Sequence, residues 1–125
     1  MSVFALMVSA HPNDRASLHA LQLARAASAG GHSLAMVFFI HDGVNIADNR
    51  RAPPLSDQWR ALAEQAHCEL VVCSGSANER NILDTASARR QGLAQATLRE
   101  GFVIGGLAQW QAAASTATRT LRLGA

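Results

Sequence analysis

Two cysteines, five histidines and eleven basic side chains, all of them arginine, hold most of the reactive chemistry open to this chain. Cys73 closes the apolar run Leu70-Val71-Val72 and precedes the small polar segment Ser74-Gly75-Ser76-Ala77-Asn78. A continuous apolar run is the signature of a strand buried on both faces, and open α/β sheets bind ligands outside the carboxyl ends of their strands. A helix starting just after such a thiol lowers its pKa, through free backbone N–H groups and the positive end of the helix dipole. Ser74, Gly75 and Ser76 would offer those N–H groups to an anionic sulfur. Arg80 would add to them if its side chain turns back. The other reading of Cys73 is a small buried apolar residue, the commonest state of a free cysteine. Cys68 falls where a helix joins the strand and reads as structural. Four residues of extended chain span about 13 Å, too far for a Cys68–Cys73 disulfide.

The histidines at positions 11, 19, 32, 41 and 67 have no metal-ligand spacing with each other or with the cysteines, so no metal is expected. His11 and His41 each follow a predicted strand. They either line the same carboxyl-end surface as Cys73 or are solvated loop residues. The chain has no G-x-G-x-x-G, no G-x-x-x-x-G-K-[ST] and no G-x-S-x-G, so neither a nucleotide cofactor nor a serine nucleophile elbow is expected.

These side chains need a scaffold, and the chain spells one out. Val3–Val8 reads as a buried strand, and His11 to Asp14 as a turn. Arg15 to Ala29 carries Leu18, Leu21, Leu23 and Ala26 at helical spacing, stopped by Gly30-Gly31. Leu34–Ile40 is a second buried strand, which completes a strand–helix–strand unit. His41 to Leu55 is a polar connection longer than the usual 4–6 residues or so, and long ordered loops are often functional. Ser56 is the expected N-cap of a helix through Trp59, Leu62 and Ala66. After the Leu70–Cys73 strand, Ser74 to Asn78 reads as a turn. Ile82, Leu83 and Ala86 to Leu98 read as helical. Phe102–Ile104 is a fourth strand ending at Gly105-Gly106, Leu107 to Ala114 a short helix, and Arg119–Leu123 an alternating edge strand. The expected fold is a single α/β domain over residues 1–125: a mostly parallel sheet of about five strands with helices on both faces.

At 125 residues the chain is long enough for one ordinary domain. A hydrophobic share of 49% places it among globular chains, while a charged share of 16% is low and favours burial of part of the surface in an oligomer. A net charge of +2 with scattered arginines is too small for a nucleic-acid footprint. Ser2–Ala10 has no basic lead-in and runs straight into His11-Pro12, so it reads as a strand and not a signal peptide. No apolar run approaches the roughly 18 residues of a membrane span. A cytoplasmic protein with free thiols is the simplest expectation.

The segment from Cys73 to Asp84 (CSGSANERNILD), followed by Gly101 to Leu107 (GFVIGGL), resembles the DsrE/TusD family of sulfur-relay proteins. Val37 to Val44 (VFFIHDGV) and Ala47 to Asn49 continue the likeness, which runs in order over nearly the whole chain. The resemblance implies a DsrE-like fold and a sulfurtransferase whose cysteine, at the position of Cys73, carries sulfur as a persulfide. It implies a TusA-like donor and a TusE/DsrC-like acceptor. It also implies assembly with TusB/TusC-like (DsrF/DsrH-like) subunits or self-association, often in a hexamer. In TusD-type proteins the relay serves 2-thiouridine formation in tRNA; in DsrE-type proteins it serves sulfur oxidation. Relatives tend to have a basic pair and a glycine where this chain has Glu79, Arg80 and Asn81, which bears on how basic a docking surface is there.

Two other functions compete. One is a non-catalytic subunit of such a complex. The other is a flavin-binding oxidoreductase, because Ser9-Ala10-His11-Pro12-Asn13 with Ser17-Leu18 is similar to the opening of flavodoxin-like quinone reductases. That similarity stops after the second strand.

Overall fold

In the computed structural model, residues 1–124 are described and form five strands and five α-helices. The strands are β1 (Val3–Val8), β2 (Ser33–Phe39), β3 (Glu69–Cys73), β4 (Phe102–Gly105) and β5 (Arg119–Leu123). They make one sheet in the order β4-β3-β2-β1-β5, with every pairing parallel. The helices are α1 (Arg15–Ala29), α2 (Ser56–Ala66), α3 (Ser74–Glu79), α4 (Thr85–Arg90) and α5 (Leu107–Thr116).

The strand order follows from handedness. Successive right-handed crossovers from β1 through β4 step in one direction across the sheet and keep their helices on one face. The chain then returns to the far edge, beyond β1, through α5 on the other face. Alternate strand residues fill the two layers. Leu6, Val8, Val37, Phe39, Leu70 and Val72 meet Leu21 and Ala24 of α1 and Trp59 and Leu62 of α2. Met7, Met36, Phe38 and Val71 face Trp110 and Ala113 of α5. Apolar side chains on both sides explain why β1, β2 and β3 read as unbroken hydrophobic runs.

Several expectations are corrected. The connection after β2 is not an irregular loop: His41–Ala47 winds as a 3-10 helix and buries Val44, Ile46 and Ala47. Its Gly43 lies so close to β1 that a Cβ there would run into the Val8 carbonyl oxygen. Ser56 is not the N-cap of α2; Leu55, at φ 72°, occupies that position, and the Ser56 hydroxyl is buried inside the first turn. Ser74 to Asn78 is not a turn but the body of α3, which starts directly from β3. The helix expected over Ala86 to Leu98 exists only as α4. Gly92, at φ +77°, lies just beyond its end. Beyond it the chain docks by backbone pairing: the Thr97 and Leu98 amides donate to the Leu83 carbonyl at 2.9 and 3.0 Å, and the Arg99 amide to the Ala47 carbonyl at 2.7 Å. No helix among the described residues is long and apolar enough to cross a membrane.

Candidate functional site

Cys73 is the last residue of β3, an inner strand, and also the N-cap of α3, at φ −61° and ψ 125°. The extended backbone of the strand thus turns into the helix at the thiol-bearing residue itself. Its side chain is partly buried and packs against the edges of both core layers. Its ladder partner on β4 is Gly105, followed by Gly106 at the N-cap of α5. Neither glycine has a side chain to lay over the sulfur. Gly105 is required by packing, since a Cβ there would come within 2.6 Å of Val71 Cγ1.

On the β2 side, α3 is tied to the start of the 3-10 helix. The His41 amide donates to Ser76 Oγ at 2.9 Å. Arg80, at the C-cap of α3, donates through Nη1 to the Ser76 carbonyl at 3.0 Å and through Nη2 to Asp42 Oδ1 at 2.9 Å. Its guanidinium is therefore engaged with this connection and does not turn back to the thiol, as the sequence had left open. The Arg80 hydrogen bond and charge, with help from His11 and His41, hold the Asp42 carboxyl below the ordinary carboxylate range despite an opposing effect of burial. Arg80 thus pairs directly with Asp42 at the carboxyl-end rim, and His11 and His41 add only a through-space attraction. A second tie lies below. Arg50 donates from Nε and Nη2 to the two oxygens of buried Asp48 at 2.9 and 3.0 Å, and from Nη2 to the Arg80 carbonyl at 2.8 Å. Ser76 was expected to act through its backbone amide; the side-chain contacts made by Ser76, Asp42, Asp48 and Arg50 were not expected from sequence.

Cys68 sits at the opposite end of β3 and forms no disulfide with Cys73. Burial, aided by the charge of Glu69, pushes its thiol up to about 11. It lines an open cleft of about 550 Å³ with Arg60, Glu64 and Glu100, remote from the carboxyl-end rim. A smaller cavity of about 210 Å³ lies beside Cys73's neighbour Ser74, lined also by Asn78, Ile82, Asp84, Ser87 and Ile104. Asp84 is committed to capping α4, where it accepts from the Ser87 amide at 2.8 Å. Among the described residues no three His, Cys, Asp or Glu side chains are grouped to hold a metal.

The chain is thus a single-sheet parallel α/β protein with one thiol between the carboxyl end of an inner strand and a helix start. The chain belongs to the DsrE/DsrF-like family, whose model matches residues 1–123. It is 39% identical over 127 residues to DsrE of Allochromatium vinosum, covering 97% of this chain and 98% of that one. It is 40% identical to the sulfurtransferase TusD of Enterobacter sp. strain 638, covering 95% of this chain and 98% of that one. A crystal structure of the E. coli YchN protein superposes with a TM-score of 0.73 at 19% identity, over 98% of this chain and 99% of that one, which shows a shared fold. The family match extends well past β2, where the likeness to quinone reductases ends.

Proposed function

We propose that the chain is a sulfurtransferase, one sulfur-carrier domain in which Cys73 accepts sulfane sulfur as a persulfide and hands it on. The observation that carries this reading is the placement of Cys73 at the junction of β3 and α3, beside two glycines. Relatives named sulfurtransferase, matched end to end, supply the class of chemistry.

In the first half-reaction the Cys73 thiolate attacks the outer sulfur of a donor persulfide. A new S–S bond forms at Cys73, the donor's S–S bond breaks, and its electron pair leaves with the donor as a thiolate. The acceptor's thiolate then repeats the step on the Cys73 persulfide, and Cys73 departs as the leaving group. Each transfer conserves sulfane sulfur and needs no external oxidant. Rate follows thiolate fraction, leaving-group basicity and access. A TusA-like donor and a TusE/DsrC-like acceptor fit these roles. TusB/TusC-like subunits or further copies of the chain, in a hexamer, would shield the persulfide from oxidation. The sulfur then feeds tRNA thiolation or sulfur oxidation.

Incubation with a donor carrying labelled persulfide sulfur tests the reading. Cys73→Ser should accept no label, while Cys68→Ser should accept it nearly as well as the unsubstituted chain. Equal loss in both, or acceptance by Cys73→Ser, would overturn the assignment.

A further inference from the structure

The loop after β1 contributes nothing to the thiol chemistry, yet it walls a cavity of its own. This half-open space, about 140 Å³, is bordered by Pro12, Pro53 and Pro54 and lined by the polar residues His11, Asn13, Asn45 and Arg51. Prolines fix the backbone and remove N–H groups, so the walls are stiff and the polar side chains set the chemistry. Both ionisable side chains in the lining are basic, and no carboxylate lines it. Two details turn these groups toward a ligand. His11 Nδ1 accepts from the Asn13 amide at 3.1 Å, which places the proton of the neutral ring on Nε2 and makes that nitrogen a donor. Arg50 saturates Asp48 with two short bonds, so Arg51 keeps only a loose 3.9 Å contact to the same carboxylate and its side chain is 77% exposed. A guanidinium, an imidazole N–H, the Asn13 carboxamide and the second Nδ2 hydrogen of Asn45, whose first goes to the Asp42 carbonyl at 2.9 Å, suit a small multi-oxygen anion in a space of this size, with the guanidinium bonding two oxygens at once.

We infer that the cavity between the β1 loop and the Pro53-Pro54 segment binds a tetrahedral oxyanion of the phosphate, sulfate or thiosulfate type, held by Arg51, His11, Asn13 and Asn45. The site shares the carboxyl-end rim with Cys73, because His11 follows β1 while Cys73 ends β3 in the same parallel sheet. It does not require that Cys73 carry sulfur.

The test is amide and side-chain NMR of the ¹⁵N-labelled full chain, titrated separately with inorganic phosphate, sulfate and thiosulfate. Sodium chloride at matched ionic strength is the reference. Saturable shifts centred on His11, Asn13, Asn45 and Arg51 are expected, with Arg51→Ala and His11→Ala each weakening binding by about tenfold. Arg51 is exposed enough for its substitution to leave the fold intact, and Arg51→Lys should restore part of the affinity. A stronger response to thiosulfate would assign the anion to sulfur chemistry, and an equal response to phosphate a general oxyanion site; both uphold the inference. Shifts that stay linear with concentration, match those of chloride, or persist unchanged in Arg51→Ala would overturn it. No sulfur donor enters the measurement, so failure here and failure of the Cys73 reading are separate results.

Discussion

The two thiols occupy opposite ends of β3, and that difference of a few residues separates their chemistry. Cys68 is held as the neutral thiol, raised to about 11 chiefly by desolvation. At pH 8 only on the order of 0.1% of it is thiolate, the reactive form. Iodoacetamide at pH 8 should therefore modify Cys73 first, and labelling of Cys68 should accelerate steeply as the pH approaches 11, as read by peptide mass spectrometry. The same shift has a stability consequence. A thiol whose folded value lies above its unfolded value near 9 contributes stability below pH 9 and loses it as pH rises toward 11. With a discount for its partial exposure, the loss should be on the order of 1–2 kcal/mol. Urea midpoints measured between pH 8 and pH 11 should fall for the unsubstituted chain, and should fall less for Cys68→Ser. Identical pH slopes in the two proteins would show that Cys68 is not held in its neutral form.

At the scale of elements, the thiol depends on how α3 is held. α3 has only six residues, too few to be stable alone, so its position comes from Ser76 and Arg80 gripping the connection after β2. Arg80→Ala should destabilise the chain only slightly, since its ion pair is exposed, and should slow sulfur acceptance more than that loss accounts for. Arg80→Lys, which restores charge but not the forked geometry, should recover part of the rate. The clamp has a defined pH limb. Because Asp42 sits below its unfolded value of 3.8, its contribution is present above that pH and disappears as pH falls through the folded value. Arg80→Ala should flatten this acid limb in urea titrations; an unchanged limb would show that the pair contributes nothing. This is also the level at which sequence reading loses its grip. The strands were legible because Val3–Val8, Leu34–Phe39 and Leu70–Cys73 are apolar on both faces. The position of Cys73 at a strand end was legible for the same reason. Arg80's choice of Asp42 over Cys73 was not, because the two partners are 38 residues apart and meet only once β2 and β3 pair. The helix expected through Ala86 to Leu98 failed because its apolar spacing serves a docked segment, in which Leu98 bridges buried Asp48.

For the whole molecule, the two faces of the sheet are covered unequally. The α1/α2 face holds Trp59, Leu21 and Leu62 in a deep core, with Trp59 edge-on to Phe39 at 5.4 Å between ring centroids. Among the described residues the other face has α5 alone. That helix buries none of its own residues fully and leans on the sheet through Trp110, 5.9 Å from Phe38. Apolar area removed from water sets the free energy of opening a segment, at about 25 cal/mol per Å². The helical spacing of Leu21 in α1 and of Trp59 and Leu62 in α2 made the helices of the first face legible from sequence. The sparse second face follows from topology, since only the return from β4 to β5 crosses it. Hydrogen exchange on the isolated chain should therefore resolve two stabilities. Amides of β1, β2 and β3 should exchange only through global unfolding. Amides of α5 should exchange through a smaller opening that urea affects weakly, because little surface is exposed in it. Trp110→Ala should speed α5 exchange at least tenfold while changing protection in β2 far less. Trp59→Ala, which empties a fully buried site, should cost about 3–5 kcal/mol and lower protection everywhere at once. Equal protection of α5 and β2 in the unsubstituted chain would mean that the single helix is bound as firmly as the core, and that the sheet's two faces act as one cooperative unit.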